Sequence, residues 1–472
     1  MYNSDQSSMD PLTLVLILAY VVAGVMLIFA LVALWMKHEM QERGLSFLEF
    51  VESYIKEGKR KTGIKFLRDP DGMTFGRTRN GKYACSPSDN EGHALVLGTS
   101  GSGKTSAVII PSLRHWRGHA YVIDLGDIEE NVPRASPRII YRPAESADVK
   151  YNVFARIDKA ETDEQKQELL EELAFTLLPE STGSESAEKF FTEEGRKMLT
   201  AALLAYYQAG KDFSEICEKI AENNWRDLLN NIVKVCDKDP RIIRYISSFA
   251  GANEKNNQGC KQSVDRALKL FATNEMVKRS IGRGPQSFSP SDLEDSDVYV
   301  RIPAEKLTLY APLLSLLSVD VMETFTDRDP SGKDRILLCL DEAGTLFQNG
   351  SLWQAYLKTL RLGRKHGINT LVASQSLNDF TLIGGKTALG AMLDNISITA
   401  LLGLGSSDVE GQKYFSDLAG TVAAKDGSSR QLPRFPPQTL AGLQSDLILF
   451  FDGKAVRLRK AYYFSAGKRG FI

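Results

Sequence analysis

The chain has 472 residues, 43% of them hydrophobic and 25% charged, enough for two or three domains around a sizeable core. A formal net charge of −1 excludes a protein that coats nucleic acid over its whole surface, so any DNA contact belongs to a local patch. The five cysteines, at 85, 217, 236, 260 and 339, form no C-x-x-C pair and point to neither a zinc site nor a disulfide framework.

The first element is apolar. Leu12 to Trp35 is a run of 24 uncharged residues, fifteen of them Leu, Ile, Val or Phe. As a helix it is about 36 Å long and spans a bilayer with some tilt. A cleaved signal peptide would need basic residues before the run and a small-residue cleavage site after it, and both are missing. Residues 1–10 hold no Lys or Arg, whereas Lys37 and Arg43 follow the span. The positive-inside rule therefore makes 1–10 an extracytoplasmic tail, 11–36 a single-pass membrane anchor, and the rest cytoplasmic. Residues 37–72 read as a stalk, with Phe47, Phe50, Val51, Tyr54 and Ile55 at helical spacing before the Asp69-Pro70-Asp71-Gly72 turn.

Residues 73–160 alternate strand and helix signals: Met73–Arg77, Ala94–Gly98, Ala120–Asp124 and Arg138–Tyr141 predict strands, with a helix from Thr105. Residues 161–285 are helical in pattern, and their first part, 161–195, carries eleven acids against two lysines. Strand signals return in 286–472, at Val298–Ile302, Arg335–Leu340, Ile368–Ser374, Ile396–Leu401 and Leu447–Phe451. The fold class expected is α/β: one parallel-sheet domain in two parts, 73–160 and 286–472, with an all-α insert between them. The segment 453–470 holds six Lys or Arg and no acid. For both charged segments a solvated surface is as good a reading as a binding one.

The chemistry sits in short motifs. Gly98-Thr99-Ser100-Gly101-Ser102-Gly103-Lys104-Thr105 matches G-x-x-x-x-G-K-[ST], between a predicted strand and a predicted helix. Glycines let several backbone N–H groups converge on phosphate at a helix start, where the helix dipole also favours anions. Lys104 would reach the β- and γ-phosphates of ATP, and Thr105 would bind Mg²⁺. A second apolar strand ends in Asp341-Glu342, an acid for the metal and an acid to polarise water. A third, Leu371-Val372-Ala373-Ser374-Gln375, ends in an amide able to sense the γ-phosphate. Before it lies Arg361-Leu362-Gly363-Arg364-Lys365-His366-Gly367, a cationic cluster suited to reach a neighbouring subunit's nucleotide, with Arg364 the first choice and Arg361 the second. A solvated basic helix end is the plain alternative.

Taken together, ALVLGTSGSGKT, YVIDLGD, YNVF, KFFTEEGRKMLTAALLAY, LCLDEAGTL and GRKHGINTLVASQSLNDF resemble the coupling proteins of type IV secretion systems. The resemblance covers most of the chain after Met73. It implies a RecA-like P-loop ATPase that forms a homo-oligomer, a hexamer, at the inner membrane. Such a protein brings a relaxase–DNA complex or a protein substrate to the channel proteins, with the helical insert meeting relaxase or accessory proteins. The sequence departs from the family's pattern in three ways. It has one apolar span where many relatives have two. Asp124-Leu125-Gly126-Asp127 stands where many have a lysine. The chain ends soon after its last strand signal. The competing readings are a DNA-pumping translocase of the chromosome-segregation type and a membrane scaffold with a degenerate nucleotide site. The complete set Lys104, Thr105, Asp341 and Glu342 speaks against the scaffold.

Overall fold

The structure is a computed structural model that describes Met26 and residues 63–133, 136–180, 186–424 and 430–464. The anchor at 11–36 and the helical stalk up to residue 62 lie outside the described residues, Met26 apart. Among the described residues one helical stretch, Ala304–Thr324, is long and apolar enough to cross a membrane, but 67% of its apolar window is buried inside the body. It is a core helix.

Twelve strands form one sheet. In chain order they are β1 (Lys65–Leu67), β2 (Met73–Arg77), β3 (Tyr83–Ser86), β4 (His93–Leu97), β5 (Ala120–Asp124), β6 (Arg138–Tyr141), β7 (Asp297–Arg301), β8 (Ile336–Leu340), β9 (Ile368–Ser374), β10 (Ile398–Leu401), β11 (Asp446–Phe451) and β12 (Lys454–Arg459). Across the sheet the order is β1-β3-β2-β12-β11-β10-β4-β9-β8-β5-β7-β6. The seven strands from β10 to β6 run parallel. The other five are antiparallel, and the Arg459–Arg77 pairing brings the C-terminal hairpin against β2. β1 falls within the segment read as stalk.

The central strands are apolar on both faces because both faces are covered. Leu95, Leu97, Tyr121, Ile123, Leu338 and Leu340 point into one core, which continues into the helical insert. Their alternates Ala94, Val96, Ala120, Val122, Leu337 and Cys339 point into a second core. That second core is closed by a helix, α1, over 105–115, whose first turn, Thr105–Ile109, is widened to π pitch before Ile110–His115 continues as α-helix.

The insert leaves the sheet after β6 and returns before β7. A short parallel ladder, Lys150–Tyr151 beside Ser287–Phe288, brackets it. Its first long helix, α2 (Asp163–Leu177), starts in a capping box, where Thr162 and Gln165 satisfy each other's backbone N–H groups. At the exit Arg283 donates two hydrogen bonds to Asp158, of 2.7 and 2.9 Å, and one of 2.9 Å to Asp212. Although burial would raise the Asp158 carboxyl, these bonds hold it below the usual carboxylate range. On α2 the acids divide. Glu164 and Glu168 are exposed, Glu171 accepts from the Tyr245 hydroxyl and from Gln167, and Glu172 pairs with Arg156 at 3.3 Å. After β7 the chain forms α3 (Leu307–Thr324), and between β8 and β9 it forms α4 (Gly350–Leu362).

Candidate active site

Parallel strands deliver the loops after them to one edge, and the motif residues lie at the carboxyl ends of three adjacent strands: β4, β9 and β8. β9, carrying Gln375, stands between the other two. Register levels the ends, with Ser374 opposite Leu97 and Leu340 opposite Val372.

The glycine loop follows β4. A Cβ on Gly98 would lie 2.4 Å from Ser102 Oγ, and Gly101 and Gly103 hold φ of +73° and +94°, so a side chain at any of these positions would deform the loop. Thr99 N–H donates to Gly403 O at 3.0 Å and Ser102 N–H to Thr99 O at 3.1 Å, while the crest at Thr99, Ser100 and Gly101 stays exposed. Lys104 is buried. Its Nζ donates to Gly98 O at 2.8 Å and Thr99 O at 3.4 Å, and stands 3.9 Å from Glu342 Oε1. Thr105 Oγ1 donates to Asp341 Oδ2 at 2.7 Å.

Asp341 is buried, and burial pushes its carboxyl above the ordinary range against the opposing Thr105 hydrogen bond. Glu342 turns the chain off β8 with φ 55° and ψ 43°, the left-handed region that a non-glycine residue occupies at a cost of about 1–3 kcal/mol. Its N–H donates to Asp341 Oδ1 at 3.1 Å, and its Oε2 accepts from Gln375 Nε2 at 3.4 Å. Lys104, Thr105, Asp341, Glu342 and Gln375 therefore form one connected cluster. A cleft of about 1070 Å³ opens beside Glu342 and Gln375, walled on its far side by Phe175, Pro179 and Glu180 of the insert.

Arg361 and Arg364 are not brought into this cluster. They precede β9 at its amino end, roughly 20 Å away along a seven-residue strand. Arg361 is exposed in the last turn of α4, and the half-buried Arg364 donates to the Asn395 carbonyl.

Two residues given no role in the motif reading shape the site. Asp379 Oδ2 accepts from Ser374 Oγ at 2.5 Å, Gln375 N–H at 3.1 Å and Ser376 N–H at 3.2 Å, fixing the turn that presents Gln375. The signal was local, because Ser376 and Asp379 form the capping box of α5 (Leu377–Leu393). Asp124, where many relatives have a neighbouring lysine, spends its carboxylate on the N–H groups of Gly126, Ile128 and Glu129, at 2.9 to 3.1 Å.

The family described as type IV secretory system conjugative DNA transfer matches residues 46–435. The chain belongs to that family. Among relatives of this conjugative DNA-transfer family, the conjugal transfer protein TraG of Agrobacterium fabrum is 23% identical over 91% of this chain and 70% of its own. The probable conjugal transfer protein TraG of Sinorhizobium fredii is 22% identical over 86% of this chain and 67% of its own. The plasmid coupling protein TrwB, solved with the GTP analogue GDPNP, superposes with a TM-score of 0.63 at 17% identity, covering 80% of this chain and 88% of TrwB. VirB4 of Thermoanaerobacter pseudethanolicus gives 0.52 at 15% identity, covering 85% of this chain and 99% of VirB4. At such identities the likeness speaks for the fold alone, a mixed α/β fold shared with TrwB.

Proposed function

We propose that this family member is an ATPase anchored in the inner membrane by residues 11–36, with its N-terminus outside. It hydrolyses ATP to bring a relaxase–DNA complex, or a protein substrate, to the secretion channel. The observation that carries the reading is the connected cluster in which Thr105 meets Asp341 at 2.7 Å while Lys104 and Gln375 flank Glu342. A hydroxyl and a carboxylate so close are the oxygen donors that Mg²⁺ takes from a protein when phosphates supply the rest of its shell. TrwB structures with ADP and Mg²⁺ and with the ATP analogue ADPNP support the same ligands here. Bound Mg²⁺ would spread the charge of the phosphates.

The chain's own residues do the remainder. Lys104 exchanges its loop carbonyls for the β- and γ-phosphates. Glu342, held by Gln375, orients the attacking water and takes its proton. In a hexamer Arg364, or Arg361 as second choice, reaches the γ-phosphate of the adjacent protomer. The insert meets relaxase or accessory proteins through exposed acids such as Glu164 and Glu168.

The test is Lys104→Ala in the full-length protein. Loss of a cation at the developing phosphate charge costs several kcal/mol of transition-state stabilisation, about 10²-fold or more in rate. Hydrolysis and conjugative transfer should both collapse while the protein stays folded. Wild-type turnover in that variant would refute the site.

A further inference from the structure

The glycine loop has a neighbour that no motif announces. After β12 the chain doubles back over the loop and α1. Lys460, 8% exposed, directs its Nζ at three carbonyls: Ser102 at 2.8 Å, and Leu443 and Gln444 at 2.9 Å each. Two residues on, the Tyr462 ring lies where a Cβ on Gly103 would be 3.0 Å from its Cε1. Tyr463 N–H donates to Ser106 O at 3.0 Å, and Arg114 of α1 covers the Tyr463 ring at 5.1 Å. Tyr462 and Phe464 stack on each other, ring centroids 5.2 Å apart and planes 26° from parallel, with Phe464 61% exposed.

We infer that residues 460–464 complete the nucleotide site, Tyr462 and Phe464 forming the platform for the nucleotide's base and Lys460 setting the loop that binds its phosphates. The inference rests on the nucleotide reading above and adds where the base goes. Two lines of geometry carry it. A peptide unit is planar and trans, so its C=O and N–H point in opposite directions. By holding the Ser102 carbonyl, Lys460 turns the Gly103 N–H to the other side, the side on which the loop receives phosphate. Secondly, the arm is fastened at Ser106, immediately after the Thr105 that would hold the metal. A nucleotide whose phosphates lie on Gly98–Thr105 extends its ribose and base past this point. There it meets an aromatic stack with an open face. Face stacking uses the π-surface that every base shares, so the platform accepts adenine and guanine alike.

Calorimetric titration of the full-length protein with a non-hydrolysable ATP analogue, and separately with inorganic tripolyphosphate, tests this. Tyr462→Ala and Phe464→Ala should weaken the ATP analogue roughly ten- to a hundredfold while tripolyphosphate, having no base, binds as in the wild type. Tyr462→Phe keeps the ring and should bind as the wild type does. Lys460→Met should weaken both ligands by the same factor, since it disturbs the loop and not the platform. Unchanged ATP-analogue affinity in Tyr462→Ala overturns the inference, and so does an equal loss of both ligands, which would make the arm a structural brace. Lys104→Ala keeps the two readings apart. If it binds both ligands as the wild type does, the nucleotide site itself is misplaced. If it fails to bind while Tyr462→Ala behaves as wild type, only the platform falls.

Discussion

The two ends of the parallel strands hold opposite chemistry. At the carboxyl ends the charged and polar groups face one another: Lys104 near Glu342, Thr105 on Asp341, Gln375 on Glu342. At the amino ends the charges are mostly cations, and they are tied off one by one. Arg328 is bound to Glu294 at 2.8 and 2.9 Å, Arg335 to Asn369 at 2.8 Å and to the Arg364 carbonyl at 3.0 Å, and Arg364 to the Asn395 carbonyl. Burial, aided by Arg364 and Arg335, drives the His93 imidazole down to about 3, and burial draws Arg335 down to about 10. One end is built to exchange partners and the other to keep them. Within one copy Arg361 and Arg364 stand too far from the glycine loop to serve it, so the arginine contact proposed above is one between copies.

Subunit mixing challenges that division most severely. Arg364→Ala and Lys104→Ala protomers should each be inactive, and together they should recover part of the activity where a good loop faces a good arginine. An arginine acting across a boundary is worth about 10³–10⁵ in rate. Mixed rings no faster than either variant alone would make Arg364 a purely structural residue of the amino end. Next in size is Glu342→Gln, which should lower turnover about 10²–10⁴-fold while nucleotide binding persists, measured by single-turnover hydrolysis beside equilibrium binding. Arg328→Ala should do the reverse, losing about 3 kcal/mol of stability in denaturant titration because Glu294 keeps only the more exposed Lys333, 3.1 Å away. Turnover per folded molecule should stay as in the wild type.

The smallest expected effect lies on α3, which leads toward the amino end of β8. Asp320 is buried there and faces the Tyr151 hydroxyl at 2.6 Å, Arg156 at 3.7 Å and, beyond it, Glu172. Burial raises its carboxyl from 3.8 to about 6. Between those values the folded chain holds a proton that the unfolded chain has lost, so stability falls as pH rises from about 4 to about 6. Asp320→Asn should therefore stabilise the protein by about 1–3 kcal/mol at pH 7.5, and by less at pH 5. An equal gain at both pH values would assign the effect to packing.

Much of the sheet is legible in the sequence, most plainly where central strands buried on both faces read as largely apolar runs. Met73–Arg77, Ala120–Asp124, Arg138–Tyr141 and Ile368–Ser374 can be placed to the residue. The last strand, Lys454–Arg459, hides behind its charge. Its three buried or half-buried positions, Ala455, Val456 and Leu458, sit among basic residues, so the segment reads as a solvated tail. The turn before it carried the missing signal: Asp452 and Gly453 both have positive φ, 46° and 68°, the backbone that an Asp-Gly hairpin demands. The glycine loop is legible since its geometry is local. Lys460 is not, because its contact with Ser102 spans 358 positions and no spacing rule reaches that far. The helix Leu307–Thr324 shows the converse limit. Its length and apolarity satisfy a membrane criterion, while Pro312 and the buried Asp320 belong to a packed interior.

The ladder that brackets the insert has a consequence for how such proteins can diverge. The strand pair Lys150–Tyr151 and Ser287–Phe288 sets departure and return side by side, with Arg283 clasping Asp158 across the gap. A detour that starts and finishes at one point is invisible to the strands it interrupts. Helices between residues 152 and 286 can be lengthened, trimmed or re-faced with no change in the register of β6 against β7. The sheet domain and its helical insert are thus free to change at different speeds, joined as they are through a single pair of hooks.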